Sequence, residues 1–137
     1  MRVFFDSSAL VKRYVREPGT DLVLAWCDRA DEFVVSVIAV PELISAFCRL
    51  RREGRLSADQ YRTLKTDLMT DLADALIMDT SPQVLKVAVQ SLETHTLRAM
   101  DAIHIGCATA AAVDCFLSAD RRQYAAAEAI GLKVVSV

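Results

Sequence analysis

Five short runs of the chain are apolar and rich in β-branched or aromatic residues: Val3-Phe4-Phe5, Phe33-Val34-Val35-Ser36, Ala75–Met78, Cys115-Phe116-Leu117-Ser118 and Lys133-Val134-Val135. Most are continuous rather than alternating, the pattern of strands buried on both faces. Parallel strands cannot be joined by tight turns, so each needs a crossover, normally helical. Helical patterns fill every interval. The expectation is therefore an α/β fold with a parallel central sheet and helices on both faces. With 53% hydrophobic residues in 137, the chain has enough apolar side chains for one core, and a single domain over 1–137 is expected.

The helix boundaries are marked by capping residues. Asp6-Ser7-Ser8 offers N-caps for a helix from about Ala9 to Val15. Glu17-Pro18-Gly19 makes a turn, after which Thr20 caps a helix to about Arg29. Pro41 suits the first turn of a helix that carries Leu43, Ala46, Phe47 and Leu50 and ends near Gly54. Ser57-Ala58-Asp59-Gln60 is a capping box. Ser81-Pro82 opens a helix to about Glu93, and a further helix spans about Leu97 to Ala112. The last helix covers Arg121 to Ile130 and stops at Gly131.

Four acids fall at corresponding places in this scheme. Asp6 follows the first strand directly, and Asp120 lies two residues past the strand ending at Ser118. Glu42 and Asp101 stand in the early turns of two helices. In open parallel sheets, ligands bind outside the carboxyl ends of the strands. Asp101 sits in AMDAIHIG, among the least polar parts of the chain, on a helix face shared with Ile105, Ala108 and Ala112. A lone carboxylate there needs a partner. Each acid also has an ordinary explanation: Asp6 and Asp120 as helix caps, Glu42 as a complement to a helix dipole, Asp101 as the i, i+3 partner of Arg98. Taken together they are a candidate site. Four converging carboxylates repel one another unless a cation compensates them, and Mg²⁺ or Mn²⁺ prefers such oxygen ligands. No His/Cys pattern suggests zinc. His104 reads as a core histidine holding a backbone carbonyl.

The net charge of −2 does not advertise nucleic-acid binding, but local basic strips do exist. Arg49, Arg51, Arg52 and Arg55 follow the Glu42 helix, Arg98 precedes Asp101, and Arg121 and Arg122 follow Asp120. Cys27, Cys48, Cys107 and Cys115 lie among apolar neighbours and read as buried free thiols of a reducing cytosol. The N-terminal MRVFFDSS meets an aspartate too early for a secretory signal. No apolar run approaches membrane-spanning length. A soluble, cytoplasmic protein with no membrane contact is expected.

Four segments in order, FFDSSALVKRYVRE at 4–17, SVIAVPELISAFCRL at 36–50, LRAMDAIHIGCATAA at 97–111 and FLSADRRQYAAAEAIGLKVV at 116–135, resemble the PIN-domain family, and within it the VapC-type toxin ribonucleases of toxin–antitoxin pairs. The resemblance implies a PIN-like fold and a Mg²⁺- or Mn²⁺-dependent endoribonuclease. Asp6 and Asp101 match the principal metal-binding aspartates, Glu42 and Asp120 the other two acids, and Ser7 and Ser118 the hydroxyl positions that order the pocket. Arg51, Arg52, Arg98 and Arg121 become candidates for RNA contact. The resemblance also implies a small antitoxin as partner and a homodimer. The competing readings are a catalytically silent PIN-fold binding module and a Mg²⁺-binding receiver-type signalling domain. A receiver would want adjacent acids after the first strand, a phosphoacceptor Asp ending a middle strand and a Lys before the last helix; here the first strand ends in Asp-Ser-Ser, and Phe33-Val34-Val35-Ser36 lacks a following Asp. A phosphatase of the DxD type would want a second aspartate where Ser8 stands.

Overall fold

The strands lie in the order β3-β2-β1-β4-β5, and every neighbouring pair is parallel. The computed structural model describes residues 1–137. Its elements are β1 (Arg2–Phe5), α1 (Ser7–Tyr14), α2 (Thr20–Arg29), β2 (Glu32–Ser36), α3 (Ala39–Arg52), α4 (Ala58–Ala73), β3 (Leu76–Met78), α5 (Pro82–Thr94), α6 (Ala99–Ala110), β4 (Cys115–Ser118), α7 (Arg121–Ala129) and β5 (Val134–Ser136). All five expected strands and all seven expected helices are present. The receiver-type alternative is disfavoured, because that fold carries its strands in the order 2-1-3-4-5.

Strand alternation divides the core into two layers. Val3, Phe5, Val35, Cys115 and Leu117 point to one face of the sheet, where helices α1 to α4 supply Leu10, Val23, Leu43, Phe47 and Leu68. Phe4, Val34 and Phe116 point to the other face, where Val84 of α5, Ile105 and Ala108 of α6, and Ala126 and Ala127 of α7 cover them. Phe4 stacks on Phe116 with ring centroids 5.5 Å apart, which ties the two central strands together.

The sheet changes direction of growth at β1: β2 and β3 extend to one side, β4 and β5 to the other. The crevice at the carboxyl ends of β1 and β4 is the switch point of the fold. On the second face, α5 and α6 approach very closely at Gly106. A Cβ there would stand 2.5 Å from the Val84 carbonyl oxygen, nearer than two such atoms can come. The missing side chain is what permits the contact.

Three boundaries differ from expectation. Gly19, with φ 96°, is the N-cap of α2. Thr20 is already helical, and its hydroxyl donates to the Lys12 carbonyl while accepting from the Glu17 N–H. Helix α6 begins at Ala99 rather than Leu97 and ends at Ala110. Ala112 then takes a left-handed φ of 50°, which closes the helix. Helix α1 begins at Ser7, because Asp6 itself is the cap. The four cysteines are free as expected, but only Cys107 and Cys115 are buried, and Cys27 and Cys48 are half-buried. No helix is long and apolar enough to cross a membrane.

Candidate functional site

Asp6 is the innermost carboxylate. Strand β1 runs straight into it, and its Oδ1 caps α1 by accepting the Ala9 N–H at 2.8 Å. Its Oδ2 accepts from Ser118 Oγ at 2.7 Å and Gln123 Nε2 at 2.8 Å, and Ser8 Oγ reaches both oxygens. The side chain is 1% exposed. Burial pushes its pKa up, against the opposing pull of His104 and of the hydroxyl and N–H donors. Every hydrogen-bond partner of Asp6 is neutral. So the capping role is real, but it leaves a buried anion whose charge no neighbouring ion pair offsets.

Asp101 and Asp120 flank it. Asp101, in the first turn of α6, is buried and accepts from the Arg98 N–H and Nε, each at 3.2 Å. Asp120 caps α7 through the Arg122 N–H at 3.0 Å. Arg98 Nη2 reaches Asp120 Oδ2 at 3.4 Å, so one guanidinium bridges the two acids. Arg122 adds a second ion pair to Asp120 at 3.1 Å. Partial burial opposes ionisation of Asp120, but the Arg122 and Arg98 contacts win and hold its pKa below the ordinary value. Ser118 Oγ, which donates to Asp6, accepts the Asp120 N–H at 3.0 Å. Gln123 Nε2 stands between Asp6 and Asp101, 3.4 Å from the latter. The three aspartates thus belong to one hydrogen-bonded cluster at the switch point.

Glu42 belongs to a separate hydrogen-bonded group with Ser7 and His104. Ser7 Oγ donates to its Oε1 at 2.8 Å, and His104 Nε2 meets the same oxygen at 2.6 Å. Burial alone would raise the Glu42 pKa, but the hydrogen bond and charge of His104, with help from Ser7 and Arg98, bring it below the ordinary value. His104 is buried as expected, 2% exposed. Its Nε2 holds the Glu42 carboxylate rather than a backbone carbonyl, and Nδ1 has no partner. The reason lies in register: His104 follows Asp101 by one helical turn, so it faces the same crevice that α3 enters with Glu42.

The three predicted aspartates and Ser118 therefore lie in one hydrogen-bonded network, while Glu42 and Ser7 form a second group with His104 that touches the first only through charge, His104 acting on Asp6 and Arg98 on Glu42. Of the arginines, Arg98 is in the site. Arg121 is exposed beside it, and the ion pair to Asp120 belongs to Arg122. Arg51 and Arg52 lie at the far end of α3, about 14 Å along its axis from Glu42 at ~1.5 Å per residue, and Arg51 sits over the Tyr61 ring at 5.2 Å. Three participants escaped the sequence reading: Ser8, Gln123 and the His104–Glu42 contact. A signal for Gln123 existed, since it shares a helix face with Ala126 and Ala127, both buried.

No three Asp, Glu, His or Cys side chains form a ready-made metal cage. The donor set nonetheless fits a hard divalent cation. It is all oxygen, it contains the uncompensated buried carboxylate of Asp6, and the only positive charge reaching Asp101 and Asp120 comes from arginines that are more than half exposed. Hard divalent ions of the Mg²⁺ kind bind through one or two carboxylates and keep their waters, so they need no full cage.

A parallel sheet with aspartates gathered at its switch point defines a class: an α/β protein with a carboxylate-built site. The particular family follows from sequence. The PIN domain family model matches residues 3–129, and the chain belongs to the PIN-domain family. Ribonuclease VapC45 of Mycobacterium tuberculosis is 30% identical over 134 residues, covering 96% of this chain and 93% of that protein. Among solved structures, FitAcB from Neisseria gonorrhoeae has a TM-score of 0.71 at 17% identity, covering 98% of this chain and 96% of that one. A toxin–antitoxin complex from Klebsiella pneumoniae has a TM-score of 0.69 at 16% identity, covering 98% and 96%.

Proposed function

We propose that residues 1–137 act as a single PIN domain and a cytoplasmic endoribonuclease, the toxin of a toxin–antitoxin pair, dependent on Mg²⁺ or Mn²⁺. The observation that carries the reading is the buried Asp6 carboxylate, joined to Asp101 and Asp120 in one network yet bonded only to neutral donors. The 30%-identical ribonuclease supports RNA as the substrate. The similar toxin–antitoxin complex supports a small antitoxin as partner. A homodimer is the assembly that the family resemblance implies.

Asp6 and Asp101 would hold the ion, with Asp120 and Glu42 completing its surroundings. When bound, a divalent ion lowers the pKa of a water and offsets charge on the phosphoryl oxygens. The protein's own part is orientation and proton movement. Ser8 and Ser118 fix the rotamer of Asp6, and Ser118 also fixes the backbone at Asp120. Glu42 is kept ionised by His104 and Ser7, both of which bond Oε1, so Oε2 is free to take the proton of the water whose oxygen bonds to phosphorus as the P–O bond to the leaving ribose oxygen breaks. Arg98 and Arg121, at the rim, receive the backbone phosphates that an acidic pocket would otherwise repel. Arg51 and Arg52 extend that path along α3.

Incubation of the purified chain with total RNA in Mg²⁺, Mn²⁺ and EDTA tests the proposal. Discrete internal cleavage that EDTA abolishes is expected. RNA left intact under all three conditions, by protein that is folded and free of antitoxin, would remove the enzyme and leave the silent binding module.

A further inference from the structure

Gln123 is the one neutral side chain that reaches two of the aspartate carboxylates. It projects from the first turn of α7, is 2% exposed, and reaches Asp6 Oδ2 at 2.8 Å and Asp101 Oδ1 at 3.4 Å. The atom between two carboxylates must be the amide nitrogen, because an oxygen there would face two acceptors with no proton to share. That orientation sends Oε1 into the protein, where it is buried and bonded to nothing. Buried polar oxygens nearly always find a donor, so this one marks an arrangement that is incomplete.

The two ends of a carboxamide have nearly the same shape, and the last torsion of a glutamine is soft and roughly two-fold. A half turn exchanges nitrogen and oxygen without moving the chain. With no cation, the N–H end is the better one, since it compensates two anionic oxygens 117 and 22 residues away in sequence. With a cation on those oxygens, N–H dipoles would point their positive ends at positive charge. The oxygen end would then be the better one, and hard cations take amide oxygens as ligands.

We propose that Gln123 is a metal-responsive residue of the site: its amide nitrogen bridges Asp6 and Asp101 in the metal-free protein, and its amide turns to offer Oε1 to a divalent cation or to a water on that cation. The proposal rests on the divalent-metal reading above and adds to it a fifth oxygen from α7. It also assigns a use to the orphaned oxygen, which a purely structural glutamine would not have.

The test uses ¹⁵N-labelled full-length protein. The Gln123 side-chain NH₂ signals are assigned by their absence in Gln123→Met, and Mg²⁺ is titrated in. Mn²⁺ affinity is measured by calorimetry for wild type, Gln123→Met and Gln123→Glu, with thermal melts of each without metal. The expected result is a shift of the Gln123 NH₂ pair on Mg²⁺ addition and faster exchange of its protons with water. Gln123→Met should bind Mn²⁺ about tenfold or more weakly, the usual scale for a lost supporting group at a metal site, and Gln123→Glu should bind it more tightly. If Gln123→Met does not fold, the wild-type NMR titration and Gln123→Glu decide the matter. NH₂ signals that stay fixed at saturating Mg²⁺, or a folded Gln123→Met with wild-type affinity, overturn the role of Gln123 alone. Wild-type protein that binds neither ion overturns the metal reading and this inference with it.

Discussion

Asp101→Asn separates the metal role of the site from its structural role. Asp101 is held by contacts of 3.2 Å to Arg98 and 3.4 Å to Gln123. These are long for charge-assisted bonds, and the Arg98 side chain is 66% exposed, so solvent screening limits the ion pair to at most about 1 kcal/mol. Asparagine keeps an oxygen for the Arg98 N–H. The metal-free variant should therefore melt within about 1 kcal/mol of wild type. Metal linkage is larger: an ion at a hundred times its dissociation constant stabilises the folded state by about 2.7 kcal/mol. With an unfolding entropy of about 2.1 cal/mol/K per residue, the 137-residue chain should gain about 9 °C in melting temperature. Wild type should show that rise with Mn²⁺, and Asp101→Asn should lose most of it. On the same samples, cleavage of an end-labelled RNA should fall by about 10²-fold or more, since each 1.4 kcal/mol of lost transition-state stabilisation is tenfold in rate. A variant that keeps the Mn²⁺-dependent rise and cleaves at the wild-type rate would refute the reasoning, and Asp101 would be left as the partner of Arg98.

Other predictions concern RNA binding and the fold. Charge reversal at Arg51 and Arg52 should weaken RNA binding and flatten its log–log salt dependence by about 0.7 per lost phosphate contact; an unchanged slope in a filter-binding series would move the RNA path off α3. Gly106→Ala should cost about 1–3 kcal/mol in urea unfolding, the usual scale for overpacking, because its Cβ would stand 2.5 Å from the Val84 carbonyl oxygen; wild-type stability would show that α5 can retreat freely. Asp71 accepts Arg13 Nε at 2.6 Å and Tyr14 Oη at 2.6 Å, linking α1 to α4. The Arg13 hydrogen bond, more than Tyr14 or bare charge, holds its pKa below 3.8, and burial only partly opposes this. A carboxyl depressed on folding stabilises above its unfolded pKa and loses that contribution as pH falls through the folded value. Asp71→Asn should therefore cost about 1–2 kcal/mol at pH 7, with the gap to wild type closing as pH drops below 3.8. A gap that stays constant down to acid pH would mean the carboxylate charge plays no part.

Much of the site was legible because local rules and functional placement coincide. A cap residue directly after a buried strand is already at the carboxyl edge of the sheet, so Asp6 and Asp120 could be placed from sequence. Asp101 stood out because a carboxylate on an apolar helix face needs a partner. Ser8 and Gln123 did not stand out. A serine in a helix's first turn and a glutamine after two arginines are ordinary surface residues until a second element covers them. His104 was recognised as buried, but its partner comes from α3, 62 residues earlier.

The sequence alone determined the elements and their class, since short continuous apolar runs, capping residues and turn glycines act over a few residues. It also determined which carboxylates end up at the sheet edge, because strand direction follows from parallel crossovers. Only the tertiary structure decided who partners whom. The order β3-β2-β1-β4-β5 puts the ends of β1 and β4 side by side, and that adjacency brings Ser118 and Gln123 onto Asp6 across more than a hundred residues. Such contacts depend on how two layers of helices close over one sheet, through packing at points such as Gly106 against Val84. Packing is a property of the whole core, and no window of sequence contains it.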